Sequence, residues 1–488
     1  MAFIAFVASL AFGERASLSG GGAAAKRDSF WLFVVLLAGA AALAYGRAAS
    51  APFLFDDYVH LTNAATESLS GVLRRTLVEH PAGGDLFFRP LGSLYYWFNF
   101  RWAGYSPEAW HVCNLVIHFV NTVLVLRLCR SLGCGAIPAL AGALLFAWHG
   151  THVEAVCWLA AAFDLLATLF GLAALILIVE GRGVFVNAAI IVWGAAACLS
   201  KESAYCLPLL ALAIAFFEQR RQRRRVLQGA ILVAIACGAV FLYRLWYLAG
   251  IGGYRAASGK PLVATANALG IAQAFLLRLW AILFVPINWS VRPEVWLQAA
   301  AVVMLAAVAV AISRARVREF SRAYAALCFT ACAGAPAFAM LLIGTDLAGS
   351  RVLYLPSVGF SLLIAELAAK LEPRGVAVTL VSSLLVFQLA ALEHNETIWV
   401  RVAGTARRAC LATAEMLERD PQGSVYAYDL PKLLDGVYFL QNGFPECVAI
   451  TGGIDKSRVS AGETPPTGNA AGHVISWNEK AGRLEVLK

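Results

Sequence analysis

Apolar runs of about 17 to 25 residues, each long enough to cross a bilayer, recur from Phe30 to about Leu392. No other feature constrains the fold as strongly. In hydrocarbon a backbone must satisfy its own polar groups, so runs of this length and number commit the chain to helices. The composition agrees: 60% of the 488 residues are hydrophobic and 14% charged, with mean hydropathy +0.70, against nearer half and a quarter in soluble domains. The expected fold class is an all-α polytopic membrane protein.

The net charge of +9 does not point to nucleic acid. The basic residues sit in short clusters between apolar runs, at Lys26-Arg27, Arg127 with Arg130, Arg220 to Arg225, Arg314 to Arg318, and Lys370 with Arg374. No basic face with interleaved aromatics accompanies them, and they read as cytoplasmic anchors. Anchored so, the chain makes about eleven spans, with the N-terminus inside and the C-terminus outside.

Residues 1–29 are expected to be cytoplasmic, with Met1 to Phe12 a short apolar stretch. Residues 30–392 form the transmembrane domain. Within it, 47–108 is a long first external loop carrying amphipathic helices at Thr66 to Val78 and Pro90 to Trp102. Pro261 to Phe284, with Arg278 in its middle, must begin and end outside and reads as re-entrant or interfacial. Residues 393–488 form an external tail: a helix at Glu393 to Glu418, then strand-like runs at Ser424 to Tyr428, Gly436 to Leu440 and His473 to Trp477. Of the 11 cysteines, only Cys410 and Cys447 fall in this tail, and whether they pair is left open. The Asn395-Glu-Thr397 sequon is discounted, because the Ala/Arg/Gly-rich composition is bacterial in character.

Under this topology the polar junctions gather at the outward ends of spans. Asp56 and Asp57 follow the first span. An aspartate ionised at neutral pH accepts a proton from a hydroxyl nucleophile, and a solvated pair or a helix cap is the plainer reading. His149, His152 and Glu154 could hold a metal, or form a hydrogen-bonded shell with His111 and Asn114. Lys201, followed by Glu202, could meet a phosphate as a point charge or snorkel to the interface. Arg351 and Tyr354 lie one turn apart at a helix start, on the side where anchoring cations are disfavoured, and suit phosphate oxygens. Arg89 is a third cation of this kind. Asp164, inside the fourth span, is a functional candidate by default or a partner for His118 or Asn121.

Taken in order, Phe55-Asp56-Asp57, Phe88-Arg89-Pro90-Leu91, Trp110-His111 through Asn114 to His118, His149-Gly-Thr-His152-Val-Glu154, Phe163-Asp164, Ser200-Lys201-Glu202 and Arg351 through Tyr354 to Ser357 resemble one family. They are similar to the membrane part of O-mannosyltransferase-like proteins that often carry tetratricopeptide repeats, within the GT-C glycosyltransferases. The resemblance spans about residues 30 to 400. It implies transfer of a sugar from a polyprenyl-phosphate carrier to an acceptor outside the cytoplasm, with inversion. Asp56 would be the base, and basic residues would hold the donor phosphate. Two departures stand out: a short tail replaces the tetratricopeptide repeats, and Ala161-Ala162 stand where Gly-Arg often precedes the aspartate of the fourth span.

The expectation is therefore an inverting glycosyltransferase of a bacterial inner membrane, with its site facing the periplasm. Its partners would be membrane lipid, a polyprenyl-phosphate-linked sugar, and a glycan, glycolipid or secreted-protein acceptor. The prenyl tail would lie in a groove roofed by Pro261 to Phe284. No cofactor and no metal are expected. The rivals are a lipid-linked-sugar flippase, with polar groups through the membrane depth, a metal enzyme built on His149, His152 and Glu154, and an inactive relative whose tail binds a partner.

Overall fold

The structure is a computed structural model that describes residues 22–80, 87–217, 220–254, 262, 267–314, 316–317, 321–341, 343–466 and 472–487. The Met1 to Phe12 stretch, and part of the segment expected to be re-entrant, lie outside these residues.

Among the described residues, five helices are long and apolar enough to cross a membrane: Pro107–Ser131, Leu159–Glu180, Gln222–Tyr247, Val295–Arg314 and Arg374–Arg419. Further apolar helices are shorter, at Phe30–Ala44, Ala136–Ala147, Val184–Ser200, Glu202–Ala215 and Ala268–Phe284. About eleven full spans were expected. Several of the apolar helices begin with a turn. A 3-10 turn at Leu159–Ala161 precedes the helix Ala162–Glu180. Another, at Ser350–Leu353, precedes Pro356–Lys370. The segment at Ala268–Phe284 is helical, with a π-turn at Ala274–Arg278.

Four helices need labels for the site. The first, α1, is Asp56–Thr66. Next, α2 is Pro90–Ala103, begun by a proline in its first turn, where a missing N–H costs nothing. Then α3 is Ala162–Glu180. At Gly92 of α2 any Cβ would collide with the Phe163 ring of α3, so glycine permits that close approach. The helix α4, Arg374–Arg419, runs unbroken for 46 residues, where a span and a separate tail helix had been expected. No proline or glycine pair interrupts residues 391 to 393, and Ala391 and Leu392 stay buried, so nothing stops it.

The helix expected at Thr66 to Val78 is present at Leu69–Leu77, its N-terminus capped by Ser68, and α1 is a separate helix before it that the sequence reading did not separate from the loop. Glu67 is extended between them.

Beyond α4 the chain folds as a small α/β unit. Strand β1 (Val425–Tyr428) leads through a two-residue hairpin, Leu433–Leu434 with Val437–Tyr438, into α5 (Phe444–Gly452) and then β2 (Val459–Gly462). Strands β3 (His473–Asn478) and β4 (Arg483–Val486) complete a sheet of order β2-β1-β3-β4. Its first three strands are parallel and the last antiparallel. A disulfide joins Cys410 of α4 to Cys447 of α5, settling the pairing that the sequence left open. The sequon is explained away by packing: the buried Asn395 amide donates to the carbonyls of Gly150 (2.9 Å) and Pro286 (2.7 Å).

Candidate active site

Asp56 and Asp57 open α1, and they diverge at once. The Asp57 carboxylate is buried and accepts from the Leu54 N–H (3.0 Å) and the Ala160 N–H (2.8 Å). It ties the chain before α1 to the turn that enters α3. Phe55, at φ 52°, forms the sharp corner between them. Asp56 is half-buried and faces open space, with the Asn442 amide donating to it. Burial raises the Asp56 pKa above the ordinary value of 3.8; the Asn442 hydrogen bond and the charges of Arg351, Lys432 and Arg89 partly offset this. A carboxylate in that state is a stronger base than a free aspartate.

A cavity of about 440 Å³ is lined by Asp56, His60, Arg89, Lys201, Tyr254 and Arg351, among others. The sequence had placed four of these residues at one face, and the fold brings them to one wall. Two neighbouring cavities share the same side chains. One, of about 350 Å³, continues from Arg89, Lys201 and Arg351 past Asp164, Glu202 and Arg244 to the apolar Leu209, Leu262 and Pro336. The other, of about 720 Å³, runs from Asp56, Trp158 and Arg351 to the C-terminal unit.

The cations are not free point charges. Arg89 makes a forked pair with Glu202 (2.8 and 3.1 Å). Lys201 pairs with Asp164, and Arg351 with Glu154. Asp164 had been matched to His118 or Asn121, but Lys201 takes it. Arg244 lies 3.8 Å from Glu202, is 4% exposed, and its Nε has no hydrogen-bond partner among the described residues. Four cations thus meet three paired carboxylates beside an apolar channel, with Asp56 a fourth carboxylate on the adjoining cavity wall.

Tyr254 lines all three cavities and its hydroxyl is 3.3 Å from Arg351. Burial alone would raise its pKa, but Arg351, Arg89 and Lys201 outweigh it and hold the phenol below its usual value. His60 stacks on Tyr96 at 4.5 Å. Burial and the charges of Arg89 and Arg75 push it down to about 4, so it is neutral at physiological pH.

The remaining candidates support rather than line. Tyr354, expected on the donor phosphate, is fully buried and binds His118 (2.8 Å) and Asn121 (3.2 Å) instead. His111 bonds the Ala51 carbonyl (2.9 Å), and Asn114 accepts from Tyr95 (2.6 Å). His149 bonds Thr151 (2.8 Å) and the Leu283 carbonyl (3.1 Å), while His152 bonds Ser357 (2.8 Å). With Glu154 committed to Arg351, these three point to separate partners. No group of three His, Cys, Asp or Glu among the described residues is placed to hold a metal.

Sequence reasoning missed Arg244, Tyr254, Tyr438, Asn442, His60 and Trp158. Arg244 had a signal, being an arginine inside an apolar span. The others become visible only when distant segments meet.

No family model matches the sequence. Its recognisable relatives are protein O-mannosyl-transferases, as the ordered motifs indicated. It is 32% identical over 152 residues to Protein O-mannosyl-transferase F38B6.6 of Caenorhabditis elegans, covering 30% of this chain and 22% of that protein. It is 36% identical over 102 residues to the tmtc2 protein of Xenopus laevis, covering 21% and 12%, and 30% identical over 148 residues to human TMTC1, covering 28% and 17%. The matches therefore span less than a quarter of each of these relatives. Among solved structures, ArnT from Cupriavidus metallidurans bound to undecaprenyl phosphate is similar at 12% identity and TM-score 0.40, over 92% of this chain and 93% of that one.

Proposed function

We propose that the chain is an inverting, GT-C-type glycosyltransferase that moves a sugar from a polyprenyl-phosphate carrier to an acceptor hydroxyl at the outer face of a bacterial inner membrane. The observation that carries this reading is the single cavity whose wall holds Asp56 together with Arg89, Lys201 and Arg351.

The acceptor oxygen attacks the anomeric carbon from the face opposite the phosphate. As the new C–O bond forms, the acceptor proton passes to Asp56. The anomeric C–O bond breaks, and its electron pair leaves with the polyprenyl phosphate. Arg89, Lys201, Arg351 and Arg244 surround the position that this charge would take. A preorganised donor of that kind is worth about 3 to 4 kcal/mol. Their pairing with Glu202, Asp164 and Glu154 fixes their positions before substrate arrives. Leu209, Leu262 and Pro336 give the prenyl chain an apolar path away from the phosphate. Of the segment first expected to roof this path, Leu262 contributes to the lining. Tyr354 acts by holding the helix that follows Arg351, and Asp57 by fixing the corner that aims Asp56. The cations take the leaving charge, so the reading calls for no cofactor or metal.

The outward orientation is supported by the Cys410–Cys447 disulfide in the unit that borders the site, because disulfides persist in oxidising compartments. The protein O-mannosyl-transferase relatives support sugar transfer to a hydroxyl. Asp56→Asn tests the assignment in membranes supplied with radiolabelled undecaprenyl-phosphate hexoses. Transfer should fall by about 10² to 10⁴-fold, the usual worth of a general base, with undecaprenyl phosphate still bound. Unchanged turnover would remove Asp56 from the reaction.

A further inference from the structure

We infer that the acceptor is a carbohydrate, and that the carboxyl end of the small C-terminal sheet is its binding crevice. This rests on the sugar-transfer reading and adds to it the chemical class of the second substrate and the residues that select it.

The 720 Å³ cavity beside Asp56 is built largely from the C-terminal unit. Asp429 and Leu430 lie just beyond the end of β1, and Ala461, Gly462 and Glu463 at the end of its parallel neighbour β2. The carboxyl ends of parallel strands are where α/β units present ligand-binding side chains. The hairpin and the turn before α5 add Lys432, Tyr438, Gln441 and Asn442. Two side chains fix this crevice against the catalytic wall. Asn442 donates to Asp56, and the Tyr438 hydroxyl meets Arg351 at 3.3 Å while its ring stacks on Trp158 at 4.6 Å. The next residue, Gly443, sits at φ 76°, where a Cβ would collide with the Phe55 carbonyl oxygen. The turn is therefore seated directly on the corner that precedes Asp56.

The crevice and the donor cavity differ in how their polar groups are used. Around the phosphate position the charges are cross-paired. In the crevice the side chains of Asp429, Lys432, Gln441 and Glu463 are exposed and make no hydrogen bond or ion pair with other described residues. Carboxylates accept, an ammonium donates, and an amide does both. A set of acceptors, a donor and an amide, converging on one pocket, matches a ligand that presents many hydroxyls, each both donor and acceptor. A lipid chain would meet charge here without compensation. Peptide recognition draws on backbone pairing along a strand or on apolar side-chain pockets, whereas here the cavity is met by side chains of both signs and by amides.

The test uses the purified full chain in lipid nanodiscs. One slide carries neutral oligosaccharides ending in hexose, N-acetylhexosamine or deoxyhexose, together with Ser/Thr peptides. Undecaprenyl phosphate binding and thermal melting are measured on the same preparations. The wild-type chain should bind oligosaccharides. The Lys432→Ala, Glu463→Ala double variant should bind them at least tenfold more weakly, with undecaprenyl phosphate binding and melting unchanged. The single variant Glu463→Gln, which keeps the side chain's size, should show part of that loss. Binding to peptides alone, binding to nothing on the slide, or oligosaccharide binding that ignores these substitutions would overturn the inference. Failure of the wild-type chain to bind undecaprenyl phosphate would instead sink the donor reading, leaving the oligosaccharide result to decide the crevice on its own.

Discussion

The proposed donor side of the site and the proposed acceptor side solve opposite problems. Around the proposed phosphate position Glu202, Asp164 and Glu154 are each matched to a cation, as Arg89–Glu202, Lys201–Asp164 and Arg351–Glu154. Across Asp56, the crevice at the strand ends holds side chains with unspent hydrogen-bonding capacity. A leaving phosphate needs fixed charge, because reorienting dipoles during reaction would cost what they return. An acceptor that differs from donor chemistry only in its pattern of hydroxyls needs adaptable groups in contact with water. One wall is therefore rigid and shielded, the other open.

That contrast fails first if the buried pairs are dispensable. Glu154→Gln leaves Arg351 buried without its counter-charge and should cost about 3 to 5 kcal/mol of stability, read as a lower melting temperature. Loss of a crevice charge such as Lys432 should stay within about 0.5 kcal/mol. Equal effects would erase the distinction.

Next in size is the disulfide. Its partners are 37 residues apart, and closing such a loop is worth about 3 to 4 kcal/mol in the chain-entropy view. In Cys410→Ser, Cys447→Ser, hydrogen exchange should quicken in α5 and β2 and remain unchanged in α3, since the staple holds only the acceptor side. Uniform loss of protection would show the two sides to be one cooperative unit.

Arg244→Ala should weaken undecaprenyl phosphate binding by about ten- to a hundredfold, the worth of one charge-assisted hydrogen bond. The crevice should bind oligosaccharides as before. Unaltered phosphate binding would mean that Arg244 takes no part in holding the phosphate.

The smallest effect is a pH shift. Burial raises the Asp56 pKa and the Asn442 amide lowers it. A general base acts only when ionised, so activity rises as pH climbs through that value. Asn442→Ala removes a contact that favours the ionised form and should move the acid limb of the pH–rate profile to higher pH, with the plateau nearly kept. A limb that stays in place would show that Asn442 does not act on Asp56 in solution.

Much of this site was legible from sequence because it is expensive. A carboxylate or a cation beside hydrocarbon needs a reason, so Asp56, Arg89, Asp164, Lys201 and Arg351 stood out residue by residue. Which of them pair with one another, or with Glu202 and Glu154, did not, because pairing across 37, 113 or 197 positions leaves no local pattern. Tyr354 was misplaced for the same reason: one turn from Arg351 it shared a helix start, yet its hydroxyl turns inward to His118 and Asn121. Arg244 was passed over as part of a span. Three of the C-terminal strand-like runs were read between glycine and proline breaks, while β2 and β4 were not, and nothing local to Tyr438 or Asn442 says that they reach Arg351 and Asp56.

The sequence alone determined that this chain is a bundle of apolar helices with charged groups at their ends, since hydropathy and charge cost are properties of single segments. Tertiary structure alone decided which charges pair, which aspartate faces the cavity, and which part of the chain closes it. Those outcomes depend on distances between segments far apart in the chain, and electrostatic and hydrogen-bond energies at such sites change within a few ångströms.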